Sequence, residues 1–204
     1  MGFNGEVIVV RSQASPEDLG RFIGTVGHDV RFDWALSGGW RAIHVRAWAE
    51  PYSYDHEWLA EVSATSGAPV LACWVFESDV AHIRGLSSAG AWDCWLNLPY
   101  AAGMLAEQAV DEAAPALNDE GAPDVSGHHH AERLAEESAR LTREIPLAAR
   151  RAAAWAAQAG YPVRAEPIEE LLRAPRELFI QWGFFKLLYR LGLTDTEFDP
   201  DAED

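Results

Sequence analysis

The chain of 204 residues carries 32 acidic and 16 basic side chains, for a formal net charge of −16 at pH 7. This balance disfavours a nucleic-acid binder, because phosphate contacts require clustered lysine and arginine side chains. Two cysteines are too few for a disulfide scaffold, and no apolar run is long enough to span a membrane. The N-terminal residues do not resemble a signal peptide, so we expect a cytoplasmic protein that binds neither nucleic acid nor membrane.

The first fifty residues predict strands and one helix. The apolar run Glu6–Ser12 predicts a buried strand, and Ser15-Pro16 begins a helix predicted over 16–26. Asp29–Leu36 and Trp40–Ala49 predict two strands that can form a hairpin across the two glycines between them.

The next fifty residues continue this pattern. Residues 53–65 have the apolar spacing of an amphipathic helix. Three short apolar runs follow, separated by turn-forming residues, and predict strands over 68–77, 80–86 and 91–98. The order indicates the α+β class, with a single mixed β-sheet of about six strands, helices packed on it and a C-terminal helical layer.

The second half predicts helices and acidic segments. Helices are expected over 131–144, 147–159, 167–173 and 177–191, and Pro146 should break or kink the first pair. On the last helix we expect a buried stripe at helical spacing, formed by Phe179, Trp182, Phe185 and Leu188 or Tyr189.

This reading divides the chain into four parts. They are an α/β sheet portion over 1–105, an acidic loop over 106–127, a helical layer packed on the sheet over 128–194, and an acidic tail over 195–204. Residues 115–127 and 195–204 contain few apolar side chains, so we expect them to be mobile.

Nine tryptophans are the most informative feature of the composition. Strand alternation makes both faces of the sheet apolar, and the C-terminal helices should cover one of them. Two interpretations stay open: the aromatic side chains form a packed core, or they line a ligand pocket between the sheet and these helices. The candidate pocket residues are Trp40, His44, Trp48, Trp74, Asp79, His82 and Trp92.

The remaining motifs do not indicate a metal site, a cofactor site or a catalytic site. The run His128–His130 beside Glu132 has metal-ligand types, but no second segment completes a site, so we expect no metal. Cys73 and Cys94 are expected to be free and inert. No phosphate-binding glycine motif indicates a cofactor, and no catalytic residues can be assigned, which favours a protein that is not an enzyme.

Two stretches resemble segments of small uncharacterised actinobacterial proteins. They are GAPVLACWVFESDVAHIRGLSSAGAWDCWLNL at 67–98 and LLYRLGL at 187–193. Some small acidic proteins of this general kind resemble immunity proteins encoded beside toxins. The resemblance implies a bacterial protein of immunity-like character and transfers no catalytic residue.

We therefore expect a non-enzymatic binding protein of immunity or inhibitor type that engages a basic partner protein. The acids expected at the interface are Asp111, Glu112, Asp119, Glu120 and Asp124. The alternative is a small-molecule binder or enzyme that uses the Trp-lined cavity, with His44, Asp79 or His82 as polar groups.

Overall fold

Six strands and five helices make up the computed structural model, which describes residues 4–12, 29–46, 56–113, 126–175 and 177–197. In chain order they are β1 Gly5–Arg11, β2 Asp29–Ala35, β3 Trp40–Arg46, α1 His56–Ser66, β4 Val70–Phe76, β5 Val80–Ser87, β6 Gly90–Leu96, α2 Leu98–Ala113, α3 Ser126–Ala159, α4 Glu166–Arg173 and α5 Ile180–Arg190. The helix predicted over 16–26 lies outside the described residues.

The strands form one sheet in the order β2-β3-β1-β4-β5-β6, and every neighbouring pair is antiparallel. The α+β class and the six strands are confirmed, but the expectation of a mixed sheet is wrong. The connections from β1 to β2 and from β3 to β4 do join parallel strands. In each case a third strand lies between the two, so no parallel strands become neighbours.

The predicted hairpin between β2 and β3 is confirmed. Gly38 and Gly39 have φ values of 65° and 80°, which side chains other than glycine rarely adopt. The Leu36 N–H donates to the Trp40 carbonyl oxygen at 2.8 Å. These glycines therefore allow the chain to reverse at this point.

Both faces of the sheet are covered, as the alternation of apolar residues predicts. We call the side that packs against α4, α5 and the C-terminal half of α3 the C-terminal face, and the opposite side the α1 face. At its β5–β6 end, the α1 face also packs against α2 and the N-terminal half of α3. The core of the C-terminal face includes Val9, Trp40, Cys73, Ile83 and Trp92 from strands and Trp155, Ile168, Phe184 and Leu187 from helices. The core of the α1 face includes Ile8, Ile43, Val45, Val70 and Ala72, with Leu59 and Val62 of α1.

Helix α2 corrects the predicted acidic loop over 106–127. Residues 106–113 form the second half of α2, and residues 126 and 127 already belong to α3. The acids of 106–113 suggested a loop. The run of alanine, methionine and leucine over 101–106 favours a helix, with Pro99 in its first turn. Residues 114–125, most of 115–127, and the tail after 197 lie outside the described residues.

Helix α3 continues through Pro146, so the predicted break is wrong. It runs for 34 residues from Ser126 to Ala159. A proline inside a helix costs about 3 kcal/mol, because it removes one backbone hydrogen bond. Ile145 and Ala149, on either side of it, are buried against the sheet core, and this packing offsets the cost.

The buried stripe of α5 is out of phase with the predicted one. Ile180, Phe184 and Leu187 are buried, whereas Phe179 is 41% exposed, and Trp182 and Phe185 are half-buried. Leu188 is buried, as expected. The helix itself carries apolar side chains on nearly every side, so the sequence pattern does not determine which side faces the core.

Candidate functional site

The predicted pocket residues are divided between the two faces of the sheet. Three belong to the C-terminal face: Trp40, His44 and Trp92. Trp74 and His82 lie on the α1 face, because their strand neighbours Cys73 and Ile83 belong to the other side. Trp48 lies outside the described residues. The structure therefore does not bring these residues together in one pocket.

Trp40 and Trp92 are parts of the packed core. The Trp40 ring lies 5.5 Å from the ring of Trp155. The Trp155 Nε1–H donates to two strand carbonyl oxygens, at 2.9 and 3.1 Å. The Trp92 indole lies directly over Gly85, where any side chain would collide with it. These aromatic rings fill the space between the sheet and the C-terminal helices.

His44 is buried near the edge strand β2. Its ring stacks on Phe32, with the ring centres 5.9 Å apart and the planes 6° from parallel. Burial and, to a smaller extent, the nearby charge of Arg31 lower the pKa of His44 from 6.5 to about 4. The imidazole is therefore neutral at pH 7, and it packs as an aromatic ring.

Asp79 belongs to the tight turn between β4 and β5. Glu77 and Ser78 in this turn have φ values of 50° and 61°, a conformation that costs a residue with a side chain about 1–2 kcal/mol. The Asn97 side-chain amide donates to the Asp79 carbonyl oxygen at 2.5 Å. The Ile180 N–H donates to the Ser78 carbonyl oxygen at 3.0 Å. These two hydrogen bonds link the turn to the residue after β6 and to the first residue of α5. Asp79 therefore has a structural role in this turn.

A row of polar and aromatic side chains crosses the α1 face. Glu6 of β1 is the register partner of Trp74 of β4. Trp74 is the partner of His82 of β5, and His82 is the partner of Trp95 of β6. Side chains at register positions on one face of an antiparallel pair lie close together. This row brings together residues that are far apart in the chain.

Two charged residues join this row from the adjacent register position, where Arg84 is the partner of Asp93. We call the combined group the Glu6 cluster. Its members are Glu6, Trp74, His82, Arg84, Asp93 and Trp95.

Glu6 is the most unusual member of the cluster, because only 2% of it is exposed. Its Oε2 atom has no hydrogen-bond partner in the part of the chain that the structure describes. Burial raises the pKa of Glu6 from 4.5 to about 8, and the positive charge of Arg84 opposes this rise. The carboxyl group is therefore mostly protonated at pH 7.

His82 connects the cluster to the sheet edge at β6. Its ring lies 4.1 Å from the ring of Trp95, with the planes 6° from parallel. Its Nε2 atom lies 3.2 Å from the Asp93 Oδ2 atom. The Asp93 side chain is 57% exposed, so the cluster extends from solvent at β6 to the buried carboxyl group on β1.

The five predicted partner-binding acids precede α3 in the chain. Asp111 and Glu112 occupy the last turn of α2, while Asp119, Glu120 and Asp124 lie outside the described residues. Helix α3, which follows them, carries four acids and five bases. Arg140 of α3 pairs with acids three residues before and four residues after it, at 2.7 and 2.9 Å. The excess of acidic residues therefore ends at α3, where acids and bases are nearly equal in number and form ion pairs.

The histidine run and the cysteines show no built site. His129 Nδ1 lies 3.9 Å from a Glu132 carboxylate oxygen, and both side chains are exposed. Within the described ranges, no group of three or more histidine, cysteine or acidic side chains could hold a metal ion. Cys73 and Cys94 are separated by β5, and burial raises the pKa of both thiols. They are free and buried, as predicted.

Comparison with known proteins does not identify a family. No protein-family model, no curated protein and no solved structure matches the chain. Among the described residues, no helix is both long and apolar enough to cross a membrane.

Sequence reasoning missed Glu6, Arg84, Asp93 and Trp95 as site residues. The signal for Glu6 is its place in a strand whose other residues on the same face, Ile8 and Val10, are buried and apolar. An acid in such a position indicates a carboxyl group in the protein interior. The grouping of the other three depends on strand register, which single-strand patterns do not give.

Proposed function

We propose that this protein is a non-enzymatic binding protein of immunity or inhibitor type, and that its acidic segments engage a basic partner protein. The observation that carries the proposal is the uneven distribution of charge. Residues 106–124 and 195–204 each carry six acids and no base, and together they supply 12 of the 16 net negative charges. The other 175 residues carry 20 acids and 16 bases, so they are close to balanced.

Solubility alone does not account for this distribution. A soluble domain needs a moderate net charge, with both signs spread over its surface. Helix α3 has such a surface, with Arg133 and Glu136 paired at 2.9 Å and Arg140 paired with two glutamates. The acids of 106–124 are instead concentrated in one segment, which favours recognition of a surface of opposite charge.

The position of Asp111 and Glu112 supports the same proposal. The C-terminal end of a helix carries a partial negative charge, so an acid in the last turn costs about 0.3–1 kcal/mol. Both residues lie in the last described turn of α2, which contains no base. Two acids in this position do not complement the helix dipole, and recognition of a basic partner would give them a role.

Affinity capture from a bacterial lysate tests the proposal. The immobilised protein should retain a basic protein at 0.01 M salt and release it toward 0.15 M, because the Debye length falls from about 30 to 8 Å. Changing Asp111, Glu112, Asp119, Glu120 and Asp124 to Asn or Gln should slow association at least tenfold. The double change Glu61→Gln and Glu170→Gln, at exposed acids on α1 and α4, is the control and should leave capture unchanged.

Two results would contradict the proposal. The first is the absence of any basic protein that the wild type captures and the five-acid variant loses. The second is an equal loss of binding in the control, since the effect would then reflect net charge alone.

A further inference from the structure

We propose that the Glu6 cluster binds a small organic cation with a primary ammonium group, and that the Glu6 carboxylate is its counter-ion. The proposal does not depend on partner binding, because no member of the cluster belongs to the acidic segments. It assigns a ligand site to the α1 face of the sheet.

The first step of the argument is the unsatisfied oxygen of Glu6. Buried polar atoms in proteins are nearly always hydrogen-bonded, and leaving one without a partner is costly. Glu6 is 2% exposed, and its Oε2 atom lacks a partner within the described residues. An ammonium group supplies the missing hydrogen-bond donor and also a compensating charge.

The aromatic members of the cluster favour a cation over a neutral donor. Trp74 is the register neighbour of Glu6, and the face of an indole ring attracts positive charge. Asp93 is exposed at the β6 end of the cluster and adds negative charge where a ligand would approach. The half-buried Trp74 lies between this end and Glu6 in the register of the sheet.

The charged neighbours of Glu6 restrict the kind of cation. Arg84 is close enough to lower the pKa of Glu6, so it repels a second positive charge. His82 and Asp93 are the other titratable groups of the cluster on the strands, and they lie against each other. On α1, Glu57 and Glu61 are exposed, and so is Glu107 on α2, the helix whose core cluster includes Trp95. The site therefore suits a monocation better than a polyamine.

Binding must release a proton, because Glu6 is mostly protonated when the site is empty at pH 7. The O–H bond of the carboxyl group breaks, both electrons stay on the oxygen, and the proton passes to buffer. The ligand keeps its own proton and pairs with the carboxylate. Affinity should therefore rise about tenfold per pH unit below the pKa of about 8, and level off above it.

Titration calorimetry with benzylamine, which is protonated at neutral pH, tests the site. About one proton should be released per ligand bound at pH 7. The heats of binding measured in phosphate and in Tris should therefore differ by about the difference between the ionisation enthalpies of the two buffers. Benzyl alcohol, which has no charge, and benzyltrimethylammonium, which has no N–H, should bind at least tenfold more weakly. Equal binding of either compound, or no saturable binding of benzylamine, would overturn the proposal.

The variant Glu6→Gln keeps the shape of the side chain and removes its charge. We expect at least a tenfold loss of benzylamine affinity and no proton release, whereas Glu61→Gln on the exposed side of α1 should behave as wild type. Circular dichroism checks that both variants are folded. Should Glu6→Gln not fold, the pH dependence of wild-type binding decides, since a constant affinity from pH 6 to 8 excludes Glu6 as the counter-ion.

Discussion

Glu6 and His44 are buried titratable residues whose pKa values move in opposite directions. Burial raises the pKa of Glu6 to about 8 and lowers that of His44 to about 4, because in both cases it disfavours the charged form. The folded state therefore holds a proton on Glu6 that the unfolded chain releases above pH 4.5. It also lacks a proton on His44 that the unfolded chain binds below pH 6.5.

These shifts predict how stability depends on pH. The contribution of Glu6 falls as pH rises from 4.5 to 8, and that of His44 falls as pH drops from 6.5 to 4. Of these two residues, Glu6 dominates the pH dependence of stability between pH 6.5 and 8. Wild type should lose about 1–2 kcal/mol of unfolding free energy over this range, at up to 1.36 kcal/mol per pH unit, relative to Glu6→Gln.

Urea denaturation of both proteins at pH 6.5 and pH 8 measures this difference. Groups common to both proteins cancel in the comparison, so the variant isolates the carboxyl group at position 6. Parallel pH profiles for wild type and Glu6→Gln would show that Glu6 is ionised in the folded protein.

At the scale of elements, α5 provides the sharpest test of packing. Phe184 is fully buried, whereas its neighbour Phe185 is half-buried and contacts Trp34 edge-on at 5.5 Å. Truncation of a buried phenylalanine to alanine costs about 3–5 kcal/mol. We expect Phe184→Ala to lose this amount and Phe185→Ala clearly less, as measured by thermal unfolding. A larger loss of stability for Phe185→Ala than for Phe184→Ala would instead support the buried stripe predicted from the sequence.

Helix α5 also shows where sequence reasoning stops. Its existence and approximate length follow from one long apolar run, but its orientation depends on which side chains fit the sheet. The strands and the β2–β3 hairpin are predictable because alternation and paired glycines are local signals. Strand order and the Glu6 cluster are not, because they depend on pairing between residues such as Glu6 and Trp74, which are 68 positions apart.

For the whole molecule, the described residues next to the two acidic segments, Ser126 and Leu193, lie near opposite ends of α3. The tail follows Leu193, whose carbonyl oxygen accepts the Ser37 N–H at 2.9 Å near the C-terminal end of α3. The other segment leads into Ser126, at the N-terminal end of this 34-residue helix. At 1.5 Å per residue, these ends are about 50 Å apart.

One variant of α2 can test both its stability and its part in recognition. Replacing Asp111 with Asn and Glu112 with Gln removes two negative charges from the last turn of α2. Each change should stabilise the helix by about 0.3–1 kcal/mol, which corresponds to a total rise in Tm of about 1–8 °C. The same double variant should associate more slowly with the basic partner at low salt, because it lacks part of the attracting charge. Scanning calorimetry measures the first effect and surface plasmon resonance the second. A rise in Tm with an unchanged association rate would place recognition outside α2, and a fall in Tm would mean that these acids have favourable contacts within the fold.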